Sequence, residues 1–199
     1  MKKIVKKLDV GKSNILSRYT YNKFNPDHEI TIGCEFMSKI IRINERSIQI
    51  QVWDTAGQEA FRAVTRSYYK NSACALIVYD ITNRKSFQSI KSWLDTCRDM
   101  CSKNVLIVLV GNKSDLDSKR VIPIDEGKKF ADDHKIKFYE TSALNGNNIE
   151  EVFLDASTEL MNKLESGEIK YDANSGVQIR NFPNKEIEEL LGKNQKKCC

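Results

Sequence analysis

The 199-residue chain lacks any apolar run long enough to cross a bilayer: ACALIVY at 73–79 and VLIVLV at 105–110 fall well short of about 20 residues. Behind its positive start, MKKIVKK, there is no apolar h-region, which excludes a secretory signal. No basic stripe is interleaved with aromatics. The net charge of +5 comes from lysines that are scattered or set beside acids, so nucleic acid is not the expected partner. Internal repeats are absent. Cys34, Cys74, Cys97 and Cys101 lie singly in apolar or helical surroundings, and no second Cys pair or His stands near them. They read as reduced packing residues, although Cys97 and Cys101 are spaced to share a helix face.

What is present is an alternation of strands and helices. CEFMSKIIRI (34–43) and SIQIQVWD (47–54) flank Asn44-Glu45-Arg46, and Ile48, Ile50 and Val52 alternate, predicting a hairpin with a half-buried second strand. ACALIVYD (73–80) and NVLIVLVG (104–111) are continuous apolar runs, as in strands covered on both faces, and IKFYET (136–141) is a shorter one. Helices are expected at 13–23, 59–70, 84–101, 124–134 and 148–165. This alternation implies a mostly parallel sheet wrapped on both sides, with ligands at the carboxyl ends of the strands. From residue 166 the text loses periodicity, apart from KEIEELLGK (185–193), and reads as a tail.

The motifs fall at those strand ends. Gly11-Lys12-Ser13 sets a flexible backbone, an ammonium and a hydroxyl at a helix start, where phosphate oxygens, a β/γ-phosphate charge and Mg²⁺ are accommodated. Asp54-Thr55-Ala56-Gly57-Gln58 ends a strand. Its carboxylate can hold Mg²⁺ through water, Gly57 lets a backbone N–H approach a γ-phosphate, and Gln58 can orient an attacking water. Asn112-Lys113-Ser114-Asp115 follows a buried strand, and Asp115 can accept from two adjacent N–H groups, a pattern guanine has and adenine lacks. Ser142-Ala143 offers a backbone N–H to the base carbonyl, and Phe24 can cover the base.

Missing is the rest of the phosphate loop. The pattern G-x-x-x-x-G-K-[ST] requires glycine at position 6, where Lys6 stands, and Asp9 brings a carboxylate close to the phosphates. At roughly 6 Å and an effective dielectric of about 20, that repulsion is roughly 3 kcal/mol per phosphate charge, about a hundredfold in affinity. Three readings follow: a competent site with an unusual cradle, a binding module with weak or no nucleotide, or a mis-specified N-terminus. A metabolic phosphate-loop kinase is a weaker alternative, because its acceptor lid has no room among these loops.

NKSD with TSAL, WDTAGQE, and Thr31 behind a polar loop resemble a Ras-superfamily small GTPase; TIGCEF, WDTAGQEAFRAVTRSYY and the terminal Cys-Cys are similar to the Rab family. The resemblance covers residues 10–165 and the last two. It implies a three-layer α/β phosphate-loop fold over residues 1–165, with a mostly parallel six-stranded sheet and about five helices, and a flexible tail over 166–199. It also implies that Gly11, Lys12, Ser13, Asn14, Phe24, Thr31, Gly57, Asn112, Lys113, Asp115, Ser142, Ala143 and Leu144 bind GTP or GDP. Ser13, Thr31 and Asp54 would then serve Mg²⁺, with Gln58 catalytic.

Phe36, Trp53 and Tyr68 resemble the aromatic triad read by effectors. No arginine in these motifs resembles one supplied in cis, so hydrolysis should be slow and a GAP should supply charge. Cys198 and Cys199 resemble a double prenylation signal. Six basic and six acidic residues from Glu165 onward leave anchoring to two lipid chains. An exchange factor, a prenyl escort and a GDP-dissociation inhibitor are the further partners implied. The expected place is the cytosol, cycling to the cytoplasmic face of secretory or endosomal membranes.

Overall fold

The computed structural model describes residues 10–27, 31, 34–55, 69 and 72–169. The altered loop Lys6–Asp9, Gly57, Gln58, Tyr68, Cys198 and Cys199 lie outside them. So does the expected helix at 59–70, apart from Tyr69.

Helix α1 (Lys12–Tyr21) is followed by β1 (Cys34–Ile43) and β2 (Arg46–Thr55), an antiparallel pair turned at Asn44, which takes the left-handed φ of 55°. Strand β3 (Cys74–Asp80) leads into α2 (Arg84–Gln88) and α3 (Ile90–Met100). Strand β4 (Leu106–Asn112), α4 (Ile124–His134), β5 (Lys137–Thr141) and α5 (Ile149–Glu165) complete the order. Strands β3, β4 and β5 are parallel in that order. Five strands and five α-helices thus stand among the described residues, in the three-layer α/β arrangement the sequence predicts.

The layers follow from the period-two geometry of a strand buried on both faces. Every residue of β4 is buried. Leu106, Val108 and Val110 face a core built on α1 and α5 by Ile15, Tyr19, Ile149, Val152 and Phe153. Ile107 and Leu109 face the opposite core, with Ile90 and Leu94 of α3 and Ala131 of α4. Tyr19 and Phe153 stack with ring centroids 3.8 Å apart, joining α1 to α5. Ile50 and Val52 of β2 pack against that first core from one side of the hairpin, as their alternation predicts.

One expectation is corrected. The single helix expected at 84–101 is two helices, broken at Ser89, whose hydroxyl donates back to the Lys85 carbonyl at 3.0 Å. Beyond Glu165 the described residues turn back toward α5. Gly167 takes a φ of 76°, its N–H donates to the Leu164 carbonyl, and Ile169 returns to a buried position. Glycine needs no Cβ clearance in that left-handed turn, so the chain reverses there and seats one more apolar side chain.

Candidate functional site

The carboxyl ends of the three parallel strands form one polar rung. Asp80, Asn112 and Thr141 are register partners across β3, β4 and β5, and all three are buried. Buried polar groups must find partners. Asn112, 1% exposed, finds three: its amide donates to the Val10 carbonyl at 2.9 Å, and its oxygen accepts from Thr141 Oγ1 at 3.2 Å and the Ala143 N–H at 3.3 Å. One side chain therefore ties the residue before the phosphate helix to the base-loop residues.

Gly11 caps α1 at φ 81°, and a Cβ placed there would stand 2.6 Å from the Asn112 amide nitrogen. The position demands glycine on both counts. The first turn of α1 carries no acidic residue of its own, and a helix start of this kind suits an anion.

At the same helix start, three oxygens converge. Ser13 Oγ donates to Asp54 Oδ2 at 2.5 Å, Thr31 Oγ1 donates to the same oxygen at 3.0 Å, and the two hydroxyls are 2.9 Å apart. Asp54 is buried near the end of β2. An all-oxygen set with a single carboxylate suits a hard cation that keeps water and phosphate ligands, so the residues fit Mg²⁺.

The expected base-recognition residues also meet. Asp115 lies just after β4, at the start of a 3₁₀ turn (Ser114–Lys119), and accepts from Ser142 Oγ. Lys113 takes a left-handed φ of 70° and ion-pairs with Asp80 at 2.9 Å, a partner that sequence reading does not suggest. The Ser142 N–H donates to the Asn147 carbonyl at 3.1 Å, leaving the longer Ala143 contact to Asn112 as the one a base oxygen would compete for. Phe24 is half-buried against the α1/α5 core, and Leu144 is exposed. Asn14 clasps the loop behind α1: its amide donates to the Asn25 carbonyl and its oxygen accepts from the Asn25 N–H, both at 3.0 Å.

On the hairpin, Phe36 and Trp53 are register partners 48% and 44% exposed, with ring centroids 4.8 Å apart. Two aromatics held together in solvent leave a large apolar area for a partner. Sequence reading misses Arg18 altogether. It bonds the carbonyls of Ala143 and Leu144 from α1, and nothing local in the text marks that pairing.

A glycine-capped helix start, the oxygen set of Ser13, Thr31 and Asp54, and the meeting of Asp115 with Ser142 at one end of an α/β sheet suit a nucleotide-binding protein of the small-GTPase class. Residues 4–162 match the Ras family, and the chain belongs to it. It is similar to Rab proteins within that family. It is 42% identical over 180 residues to Ras-related protein Rab-4B of Rattus norvegicus, covering 90% of this chain and 84% of the relative. It is 46% identical to Ras-related protein Rab-4A of Homo sapiens over 169 residues, covering 84% and 78%. With Ras-related protein Rab-2B of Dictyostelium discoideum the identity is 48% over 157 residues, covering 79% and 78%.

Proposed function

We propose that this chain is a Rab-like guanine-nucleotide switch that binds GTP, hydrolyses it slowly and regulates vesicle traffic at endomembranes. The observation that carries this is the meeting of Ser13, Thr31 and Asp54 at the start of α1. Those three residues come from the phosphate helix, the loop after it and the end of β2. A GTP-dependent switch needs those segments to share one ligand centre.

In this reading Lys12 and the N–H groups of the helix start hold the β/γ-phosphates. Ser13 and Thr31 would hold Mg²⁺ directly and Asp54 would hold it through water, and the ion would supply neutralisation of phosphate charge. Asp115 accepts from guanine, Gly57 meets the γ-phosphate, and Gln58 orients the attacking water. With GTP bound, Thr31 and Gly57 are held and the surface of Phe36, Trp53 and Tyr68 is offered to effectors; hydrolysis releases them. A GAP supplies the missing arginine, and an exchange factor reloads GTP. Residues 1–165, with the short packed extension to Ile169, form the switch domain, and the remainder is a tail. Cys198 and Cys199 carry two prenyl chains, placed with the help of the escort and extracted by the GDP-dissociation inhibitor.

A second reading, an effector-binding module with weak or no nucleotide binding because of the altered Lys6–Asp9 loop, draws on the exposed Phe36–Trp53 pair. Binding of fluorescent GDP and GTP with Mg²⁺ separates the two. It is measured on the protein and on a variant whose Lys6–Asp9 is replaced by a glycine-containing loop. Tight binding by the parent supports the switch. Binding by the replacement alone favours the module.

A further inference from the structure

Arg18 sits in the second turn of α1 and points its guanidinium at three carbonyls and an amide oxygen. Nε donates to the Ala143 carbonyl at 2.9 Å and Nη2 to the Leu144 carbonyl at 2.6 Å. Nη1 donates to the Asn22 carbonyl at 3.1 Å and to Asn22 Oδ1 at 2.9 Å. A rigid fork of donors engages two successive carbonyls in a way a point charge does not.

The consequence follows from peptide planarity. The Leu144 carbonyl and the Asn145 N–H belong to one trans peptide and point in opposite directions. Arg18 holds the carbonyl, and the Asn145 N–H donates on the far side to Ser142 Oγ at 3.2 Å. Ser142 Oγ in turn donates to Asp115 Oδ1. A continuous run of bonds therefore leads from the phosphate helix, through one peptide plane and one hydroxyl, to the carboxylate that faces the base.

We propose that Arg18 is a specificity-positioning residue: it fixes the Leu144–Asn145 peptide so that Ser142 orients Asp115 toward guanine. The inference rests on the reading of Asp115 as the guanine acceptor. Its consequence is selective. A loosened Asp115 loses the bond to the exocyclic amino group, the one feature that separates guanine from hypoxanthine, more than it loses phosphate binding.

The test is stopped-flow release of GDP and of inosine diphosphate, with ADP as control, from the parent, Arg18→Ala and Arg18→Lys. Arg18→Ala should release GDP about tenfold faster, the scale of one charged hydrogen bond, and should narrow the GDP-to-inosine-diphosphate ratio. Arg18→Lys keeps the stem and charge, so it keeps the fold if Ala does not. It should narrow the ratio too, because it lacks the fork. Faster release of both nucleotides at an unchanged ratio, or no change at all, overturns the positioning role. A parent that does not prefer GDP over ADP overturns the guanine reading itself, which separates the two failures.

Discussion

The side-chain amide of Asn112 lies 2.9 Å from the carbonyl of Val10, bonding the end of the central strand to the chain just before the phosphate helix. The same side chain accepts from Thr141 and Ala143, so a site assembled from segments far apart in sequence hangs on one buried amide.

Replacing Asn112 by alanine removes all three bonds and strands the Val10 carbonyl in a buried place. A loss of about 3 kcal/mol is expected from unsatisfied groups of this kind. Urea unfolding of the variant and its parent measures it. A stability loss below about 1 kcal/mol would show that water largely replaces the amide.

Gly11→Ala is predicted to be worse than an ordinary glycine replacement in a loop. The left-handed φ of 81° costs a Cβ-bearing residue roughly 2 kcal/mol. The new methyl would also press on the Asn112 amide at 2.6 Å, so nucleotide affinity should fall together with stability. Thermal melting with and without GDP reads both losses. A variant as stable and as responsive to GDP as the parent would remove Gly11 from the site's framework.

Much of this was legible in the text because its physics is local. The unbroken apolar run at β4 announces a strand with two covered faces, and the structure divides that run between two cores residue by residue. GKS, the Asp54 carboxylate and NKSD sit at chain positions where helix starts and strand ends put them. The relation of Arg18 to Ala143, 125 residues away, has no local signature. Neither has the bond from Asn112 to Val10, because both depend on how the layers stack. Ile169 was hidden for another reason: one apolar residue in a polar run carries no period, and the Gly167 turn that buries it is a matter of backbone geometry.

The thiol of Cys74, at the start of β3, is pushed up to about 12, first by burial and then by the Glu159 carboxylate and the Cys101 thiol, with Lys137 opposing. The sign follows from linkage. Between the ordinary value of 9 and about 12 the unfolded chain has lost this proton while the folded chain holds it, so stability falls as pH rises through that window. Cys74→Ala should therefore lose less stability than the parent between pH 9 and 11. Urea midpoints across that range check it, and parallel slopes would exclude a contribution from Cys74.

Asp115→Asn tests the base assignment directly. Guanine presents a ring N–H and an amino group side by side, and a carboxylate can accept both. An amide can accept one and must turn an N–H donor toward the other, which converts an attraction into a clash of donors. Ser142 Oγ would lose its carboxylate partner in the same step, so the loop that carries Ala143 is affected along with the base contact. A change of this type at a site built to hydrogen-bond its ligand costs far more than the loss of apolar contact, because buried donors are left without acceptors. Competition between GTP and ATP for the fluorescent nucleotide is the measurement. The parent should favour GTP strongly and the variant should lose that preference while the helix content of its circular dichroism spectrum stays the same. If the variant still selects GTP as the parent does, guanine is recognised elsewhere and the pairing of Asp115 with Ser142 serves only to close the loop.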